Sequence, residues 1–61
     1  SKPNWESAPV LQDPCTPNLS KAERLKRLAQ YGEVRQNGAN TFSAGNRSVA
    51  FFDDGTLLDC R

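Results

Sequence analysis

This 61-residue sequence lacks several residue types that enzymes and metal sites need, and their absence limits the functions it can have. It contains no histidine, which excludes a Ser-His-Asp triad, and its two cysteines are too few for a four-ligand zinc site. No apolar run approaches the roughly 18 residues that a transmembrane helix needs. We therefore expect a protein without catalysis, metal or other cofactor.

Strong charge of one sign is also missing. Eight basic and seven acidic residues give a formal net charge of +1. A dedicated nucleic-acid-binding domain carries a marked basic excess, so nucleic acid is not an expected partner. Ser1 leads directly into polar residues, which is unlike a secretory signal peptide. We expect the mature form of an exported protein, and a monomer.

Two sequence motifs have a functional interpretation that we set aside. Asp53 and Asp54 are adjacent and precede Gly55, which is typical of a turn and not of two carboxyl groups facing each other across a glycosidase cleft. The stretch GANTFSAG lacks the Lys-Ser/Thr end of a phosphate-binding loop.

The two cysteines, Cys15 and Cys60, are the strongest structural signal. A chain this short has a marginal core and usually needs a disulfide, a metal or an oligomer to be stable. A disulfide closing a loop of roughly 45 residues adds about 4 kcal/mol in the chain-entropy model. The alternative is two free thiols in a cytosolic protein. We favour the disulfide, and with it an oxidising compartment.

The chain divides into an arm and a domain. Residues 1–14 contain three of the four prolines and read as an extended arm or tether. Residues 15–61 form the disulfide-closed domain. Within the domain, the stretch NLSKAERLKRLAQYG predicts one helix, because Ser20 and Glu23 have the spacing of a capping box and Gly32 supplies the stop.

Short β-type runs separated by turn residues follow Gly32. The turn signals are Asn37-Gly38, Gly45-Asn46 and Asp53-Asp54-Gly55. Together they predict an α+β fold in which one α-helix packs on an antiparallel meander of three or four strands.

One helix covers only one face of such a sheet. We assign to the helix side Val34, Phe42, Val49, Phe51 and Leu57. The alternation of side chains leaves on the opposite face Ala50, Phe52, Leu58 and Cys60. A bond from Cys60 to Cys15 would then draw the arm over this second face as a lid.

Two groups of residues are candidates for binding a partner. The apolar group is Trp5, Val10, Leu11 and Phe52, with Trp5 open between packing in the core and contacting a partner. The basic group on the helix is Lys21, Arg24 and Arg27, together with Lys26. Its alternatives are a solvated helix face and an electrostatic contact with acidic loops or lipid headgroups.

A proline-bearing lead ending at Cys15, one capped helix, a hairpin meander and a final Cys60 are also the layout of a known family. In size and layout the whole chain resembles the small lipoproteins of tailed phages, of the lytic-conversion or superinfection-exclusion type. The resemblance implies a lipid-anchored protein at the periplasmic face of the outer membrane. It also implies binding to the β-barrel transporter used as phage receptor, in the best-known case the ferrichrome-iron transporter. Receptor inactivation then blocks superinfection.

The family's lipid-bearing cysteine is the first residue of the mature chain, where this sequence has Ser1. This chain therefore looks like a soluble form, and no lipid site is transferred to it. Two alternatives from other classes stay open. One is a secreted or periplasmic inhibitor of a hydrolase that presents the arm or the hairpin loop 53–56. The other is a structural or toxin-like peptide.

Overall fold

The computed structural model describes residues 10–61, which contain one α-helix and one four-stranded antiparallel sheet. Helix α1 spans Lys21–Leu28 and continues into a 3-10 turn at Ala29–Tyr31. The strands are β1 Arg35–Gly38, β2 Thr41–Ala44, β3 Arg47–Phe51 and β4 Leu57–Cys60. Each strand pairs with the next one in the chain, so the order is β1-β2-β3-β4. The predicted α+β meander with a single helix is confirmed.

The ends of helix α1 follow from its flanking residues. Ser20 is the N-cap, and its hydroxyl oxygen accepts a hydrogen bond from the Glu23 backbone N–H at 3.1 Å. The Glu23 carboxylate turns to Arg27, whose Nε donates to it at 3.2 Å, and does not complete the predicted capping box. Gly32 ends the helical segment with a φ of +147°, which favours glycine.

The first hairpin turn differs from the sequence prediction. Asn37 and Gly38 are the last residues of β1, and the connection to β2 consists of Ala39 and Asn40. The strand register shifts between Gln36 and Gly38, which places a bulge at Asn37. The Asn37 side chain donates to the Ser43 hydroxyl at 2.8 Å, so it joins the two strands instead of turning the chain.

The core lies between the helix and the middle of the sheet. Its buried members are Leu28, Ala44, Val49 and Phe51. Partly buried side chains pack around them, namely Leu25, Tyr31, Phe42, Leu57 and Cys60. The assignment of Val34 to this core was wrong: it precedes β1 and is 36% exposed, because the helix covers β2 and β3 and leaves β1 uncovered.

Cys60 lies on the helix side of the sheet, which corrects the predicted face. It is directly opposite Val49, and partners in a β-ladder share a face. The disulfide to Cys15 is confirmed. Because Cys60 faces the helix, the bond draws the chain alongside the helix, and the predicted lid over the other face is wrong for residues 10–17. That open face is largely polar, with Arg35, Thr41, Ser43, Ser48 and Asp59 in register beside Ala50.

Within residues 10–61, no helix has the length and apolar character needed to cross a bilayer.

Candidate functional site

Residues 10–17, called the strap from here on, lie beside helix α1 and run in the opposite direction. The Gln12 backbone N–H donates to the Gln30 side-chain oxygen at 2.8 Å, near the end of the helical segment. Pro14 is buried, and its carbonyl lies close to Arg24, near the start of the helix. The strap thus completes, together with the helix, the layer that covers the sheet.

Arg24 does not project from the outer helix face, which corrects its assignment as an electrostatic contact. Its side chain is on the helix face that meets the strap, and the residue is only 6% exposed. The Nη1 atom donates to the carbonyl oxygens of Pro14 at 2.8 Å and Thr16 at 2.9 Å. A buried guanidinium needs such partners, and here they are the backbone groups of a segment without regular structure.

Two more arginines bind the strap from either side. Arg27 donates from Nη1 to the Asp13 carbonyl and to the Thr16 hydroxyl, both at 3.2 Å. From strand β3, Arg47 donates through Nη2 to the Asp13 carboxylate at 2.7 Å. The same nitrogen lies 3.3 Å from Cys15 Sγ. Arginines 24, 27 and 47, called the arginine cluster below, therefore bind the strap by hydrogen bonds in addition to the disulfide.

Asp13 is the acidic centre of this arrangement. Its carboxylate accepts the Cys15 backbone N–H at 2.9 Å in addition to the bond from Arg47. The hydrogen bond from the Cys15 N–H and then the one from Arg47 hold the pKa of Asp13 below its ordinary value. The Asp13 carbonyl accepts from the Thr16 N–H and hydroxyl, which closes a turn immediately around the disulfide.

Lys21 and Arg27, two further members of the predicted basic group, are also engaged within the molecule. The Lys21 ammonium lies 5.3 Å from the ring centre of Phe51 and 5.8 Å from that of Phe42. These rings pack edge to face at 6.2 Å. Lys21 therefore covers the aromatic end of the core, whereas Lys26 is exposed.

An exposed apolar surface occurs where strand β3 ends and strand β4 begins. It consists of Phe52 and Leu58, which are 51% and 56% exposed, and we call it the sheet patch. Both residues are chain neighbours of the paired residues Phe51 and Leu57. The register shift in this part of β4 makes Leu58 the unpaired bulge residue, so its side chain does not join the core.

The turn beside the sheet patch is held by internal hydrogen bonds. Thr56 donates to the Asp54 carboxylate from its backbone N–H at 3.0 Å and from its hydroxyl at 2.6 Å. These two bonds, the hydroxyl one first, lower the pKa of Asp54. The Asn40 amide donates to the Asp53 carboxylate at 2.8 Å, which joins this turn to the β1–β2 connection. Residues 53–56 thus form a well-supported hairpin tip.

Val10 and Leu11 form a second exposed apolar surface, the strap patch, at 79% and 57% exposure. It precedes Gln12, which bonds Gln30 at the end of the helical segment, and Asp13, which bonds Arg47 at the start of β3. Phe52 follows the other end of β3, about 17 Å away along an extended strand. The described members of the predicted apolar group, Val10, Leu11 and Phe52, therefore do not form one continuous site. Trp5 lies outside the described residues.

An open cleft of about 420 Å³ lies where the chain passes from the helical segment into β1. Its walls are Gly32, Glu33 and Arg35 on one side and Ser43, Ala44 and Gly45 on the other. Among residues 10–61, no group of three or more His, Cys, Asp or Glu side chains is placed to hold a metal ion.

Three residues that matter in this region were not among the predicted site residues. Leu58 was assigned to the open face without a binding role. Its exposure could have been expected from the adjacent pair Leu57 and Leu58, because a strand covered on one face buries only one of two successive side chains. Asp13 and Arg47 carry no local signal of their partnership, because 34 residues separate them in the chain.

Comparison with known proteins adds no identification. No protein-family model, no curated protein sequence and no solved structure matches the chain.

Proposed function

We propose that this protein is a non-catalytic binding module of the periplasm that attaches to an outer-membrane transporter and inactivates it as a phage receptor. The resemblance to superinfection-exclusion lipoproteins supplies the receptor, a β-barrel transporter of the ferrichrome type, and the location at the periplasmic face of the outer membrane. In that setting a lipid anchor holds the native form on the membrane. The disulfide supports an oxidising compartment.

The observation that carries a binding function is the sheet patch. Phe52 and Leu58 expose more than half of their surface at one end of a cross-linked sheet, although buried core residues are few. Aromatic side chains are enriched at protein interfaces, and apolar side chains on a rigid frame lose little conformational entropy when they bind. We therefore assign the main receptor contact to the sheet patch and a secondary one to the strap patch.

The test measures phage infection in bacteria that export this chain fused behind a lipoprotein signal sequence. We expect a large fall in plating efficiency for phages that use the ferrichrome-type transporter and none for phages that use another receptor. The double variant Phe52→Ser/Leu58→Ser should restore plating. In a purified system the same variant should lose binding to the detergent-solubilised transporter by roughly 30-fold or more, which corresponds to about 2 kcal/mol at an interface anchor.

Val34→Ser is the matched control, because Val34 is an exposed apolar residue outside both patches. It should block infection as well as the parent does. Full plating in the presence of exported, oxidised parent protein would refute the receptor assignment. Blocking by the double variant at parental level would remove the sheet patch from the contact.

A second candidate function, inhibition of a hydrolase, is favoured by the hairpin tip. The bonds from Thr56 to Asp54 and from Asn40 to Asp53 preorganise residues 53–56 in the way that tight-binding inhibitor loops require. The variant Asp54→Ala removes the two Thr56 bonds and leaves the sheet patch in place. Inhibition of a purified periplasmic hydrolase that this variant abolishes, without any transporter binding by the parent, would favour this second function.

A further inference from the structure

The two sulfurs of the disulfide are in different electrostatic surroundings. Arg47 Nη2 lies 3.3 Å from Cys15 Sγ. The guanidinium is held there by other contacts as well. It bonds the Asp13 carboxylate, donates from Nε to the Arg61 carbonyl at 2.8 Å and from Nη1 to the Tyr31 hydroxyl at 3.4 Å, and lies 5.0 Å from the Tyr31 ring centre. Both cysteines are only partly buried.

A positive charge beside one sulfur gives disulfide cleavage a direction. Cleavage by a thiol expels one cysteine as a thiolate, and the better leaving group is the thiolate of lower pKa. Arginine next to a cysteine stabilises the thiolate form. Of the two sulfurs, Cys15 has the guanidinium, so Cys15 is the favoured leaving group and Cys60 the atom attacked.

We propose that the Cys15–Cys60 disulfide is a thiol-exchange site of fixed direction, at which a dithiol reductant attacks Cys60 and Arg47 receives the departing Cys15 thiolate. The reductant's thiolate forms a bond to Cys60 Sγ, and the electron pair of the broken S–S bond passes to Cys15 Sγ. The reductant's second thiol, after losing its proton, attacks its own sulfur in the mixed disulfide. It closes the reductant's disulfide and releases Cys60, which takes up a proton. Two electrons pass from the dithiol to this protein.

Other charges near Cys15 adjust the strength of this effect. The Asp13 carboxylate bonds the same Arg47 nitrogen and opposes a thiolate at Cys15. Arg24 and Arg27 act in the same sense as Arg47, but their Nη1 atoms are directed at the carbonyls and hydroxyl of the strap. Arg47 and Asp13 therefore form a pair whose two members should change the exchange rate in opposite directions.

The rate test uses this opposition. Oxidised protein is treated with dithiothreitol at low temperature, where circular dichroism shows each variant folded, and loss of the disulfide is followed by acid quench and mass spectrometry. Arg47→Gln should slow reduction by roughly three- to tenfold, because the departing Cys15 thiolate loses the positive charge beside it. Asp13→Asn keeps an oxygen for the Cys15 N–H and should accelerate reduction.

Two controls separate charge from structure. Lys26→Gln removes one positive charge from an exposed helix position and should leave the rate unchanged. Arg47→Lys keeps the charge and should recover most of the parental rate. Loosening of the fold would accelerate reduction in both Arg47→Gln and Asp13→Asn, so a faster rate in both variants would overturn the proposal.

The direction is tested on the unmodified protein with glutathione, a monothiol. At early times the mixed disulfide is trapped by acid, the freed thiol is alkylated, and peptides are mapped. Glutathione should be found on Cys60 and the alkyl group on Cys15, in a ratio of about tenfold or more over the reverse pattern. Equal labelling of the two cysteines, or glutathione mainly on Cys15, would overturn the proposal whether or not the protein binds a receptor.

Discussion

At the scale of single residues, the fold depends on a charged group in an unusual position. Arginine is rarely buried unless its hydrogen-bonding groups are paired. Arg24 meets this condition by donating to two carbonyls of the strap, Pro14 and Thr16, that have no ladder or helix partner. The guanidinium and the strap satisfy each other, so the removal of either leaves polar atoms buried without a partner.

Replacement of Arg24 should therefore destabilise the protein strongly. We expect Arg24→Ala to lower the free energy of unfolding by about 3 kcal/mol, since two charge-assisted hydrogen bonds are lost and two carbonyls are left unpaired. Lys26→Ala, on the exposed side of the same helix, should change it by less than about 0.5 kcal/mol. Urea titrations followed by circular dichroism measure both. Equal losses in the two variants would contradict the role of Arg24.

Asp13 should make the protein sensitive to acid. Its folded-state pKa lies below the unfolded value of about 3.9, so its contribution to stability is complete above that pH and is lost as the pH falls through the folded-state pKa. We expect the melting temperature of the parent to decrease as the pH is lowered below about 4. The melting temperature of Asp13→Asn should decrease less over the same pH range. Asp54 contributes in the same direction in both proteins, because its pKa is lowered too. Parallel melting curves from pH 7 to pH 2 would contradict this assignment.

At the scale of elements, the turn between β2 and β3, at Gly45 and Asn46, strictly requires glycine at its first position. Gly45 has a φ of +59°, and a side-chain carbon at this position would overlap the carbonyl oxygen of Tyr31. At Gly38, in contrast, a side-chain carbon would meet only the Thr41 side chain, at 3.6 Å or more. The helical segment and the sheet thus approach each other at a point where only glycine fits.

The matched pair of variants follows from this contrast. Gly45→Ala should lower the free energy of unfolding by about 2 kcal/mol or more, through the left-handed conformation and the displaced Tyr31 carbonyl. Gly38→Ala should be neutral or stabilising by up to about 1 kcal/mol, because it restricts the unfolded chain without a clash. Thermal denaturation distinguishes them, and a Gly45→Ala protein as stable as Gly38→Ala would contradict the described turn.

Local sequence patterns predicted which helix and strands form. They were less successful in predicting where a strand ends and which face of the sheet a residue occupies. The N-cap at Ser20 and the stop at Gly32 depend on neighbouring residues, and both lie where the sequence places them. The Asn37 bulge depends on the partner strand, and it moved the first turn two residues along the chain. The face of Cys60 depends on the register of β4, which the bulge at Leu58 shifts by one residue.

The candidate site was harder to predict from the sequence than the fold was. Exposure of Val10, Leu11 and Phe52 agrees with their selection as apolar surface residues, although their binding role stays a proposal. Arg24 was wrongly placed on the outer helix face because periodicity cannot show that the strap lies beside the helix. Arg24 has the sequence spacing of a surface residue and becomes buried only through Pro14 and Thr16.

At the scale of the whole molecule, stability rests on one covalent bond and one small core. The disulfide joins residues 45 apart, for which the chain-entropy model gives about 4 kcal/mol. We expect the double variant Cys15→Ala/Cys60→Ala to lose about this amount, which is most of the stability that a core of this size provides. Denaturant titration of the oxidised parent and the double variant measures the loss. An unchanged midpoint would refute the structural role of the cross-link.

The position of the cross-link also determines when the disulfide can form during synthesis of the chain. Each strand pairs with its predecessor, so the sheet can assemble one hairpin at a time as residues emerge. Cys15, however, waits for a partner 45 residues later, roughly two to nine seconds at ordinary synthesis rates. During that interval the arginine cluster cannot be complete either, since Arg47 follows the helix by about twenty residues. Until Cys60 follows, the Cys15 thiolate can attack a foreign disulfide and form a mixed disulfide with it, so the yield of correctly bonded protein depends on how soon strand β4 is made.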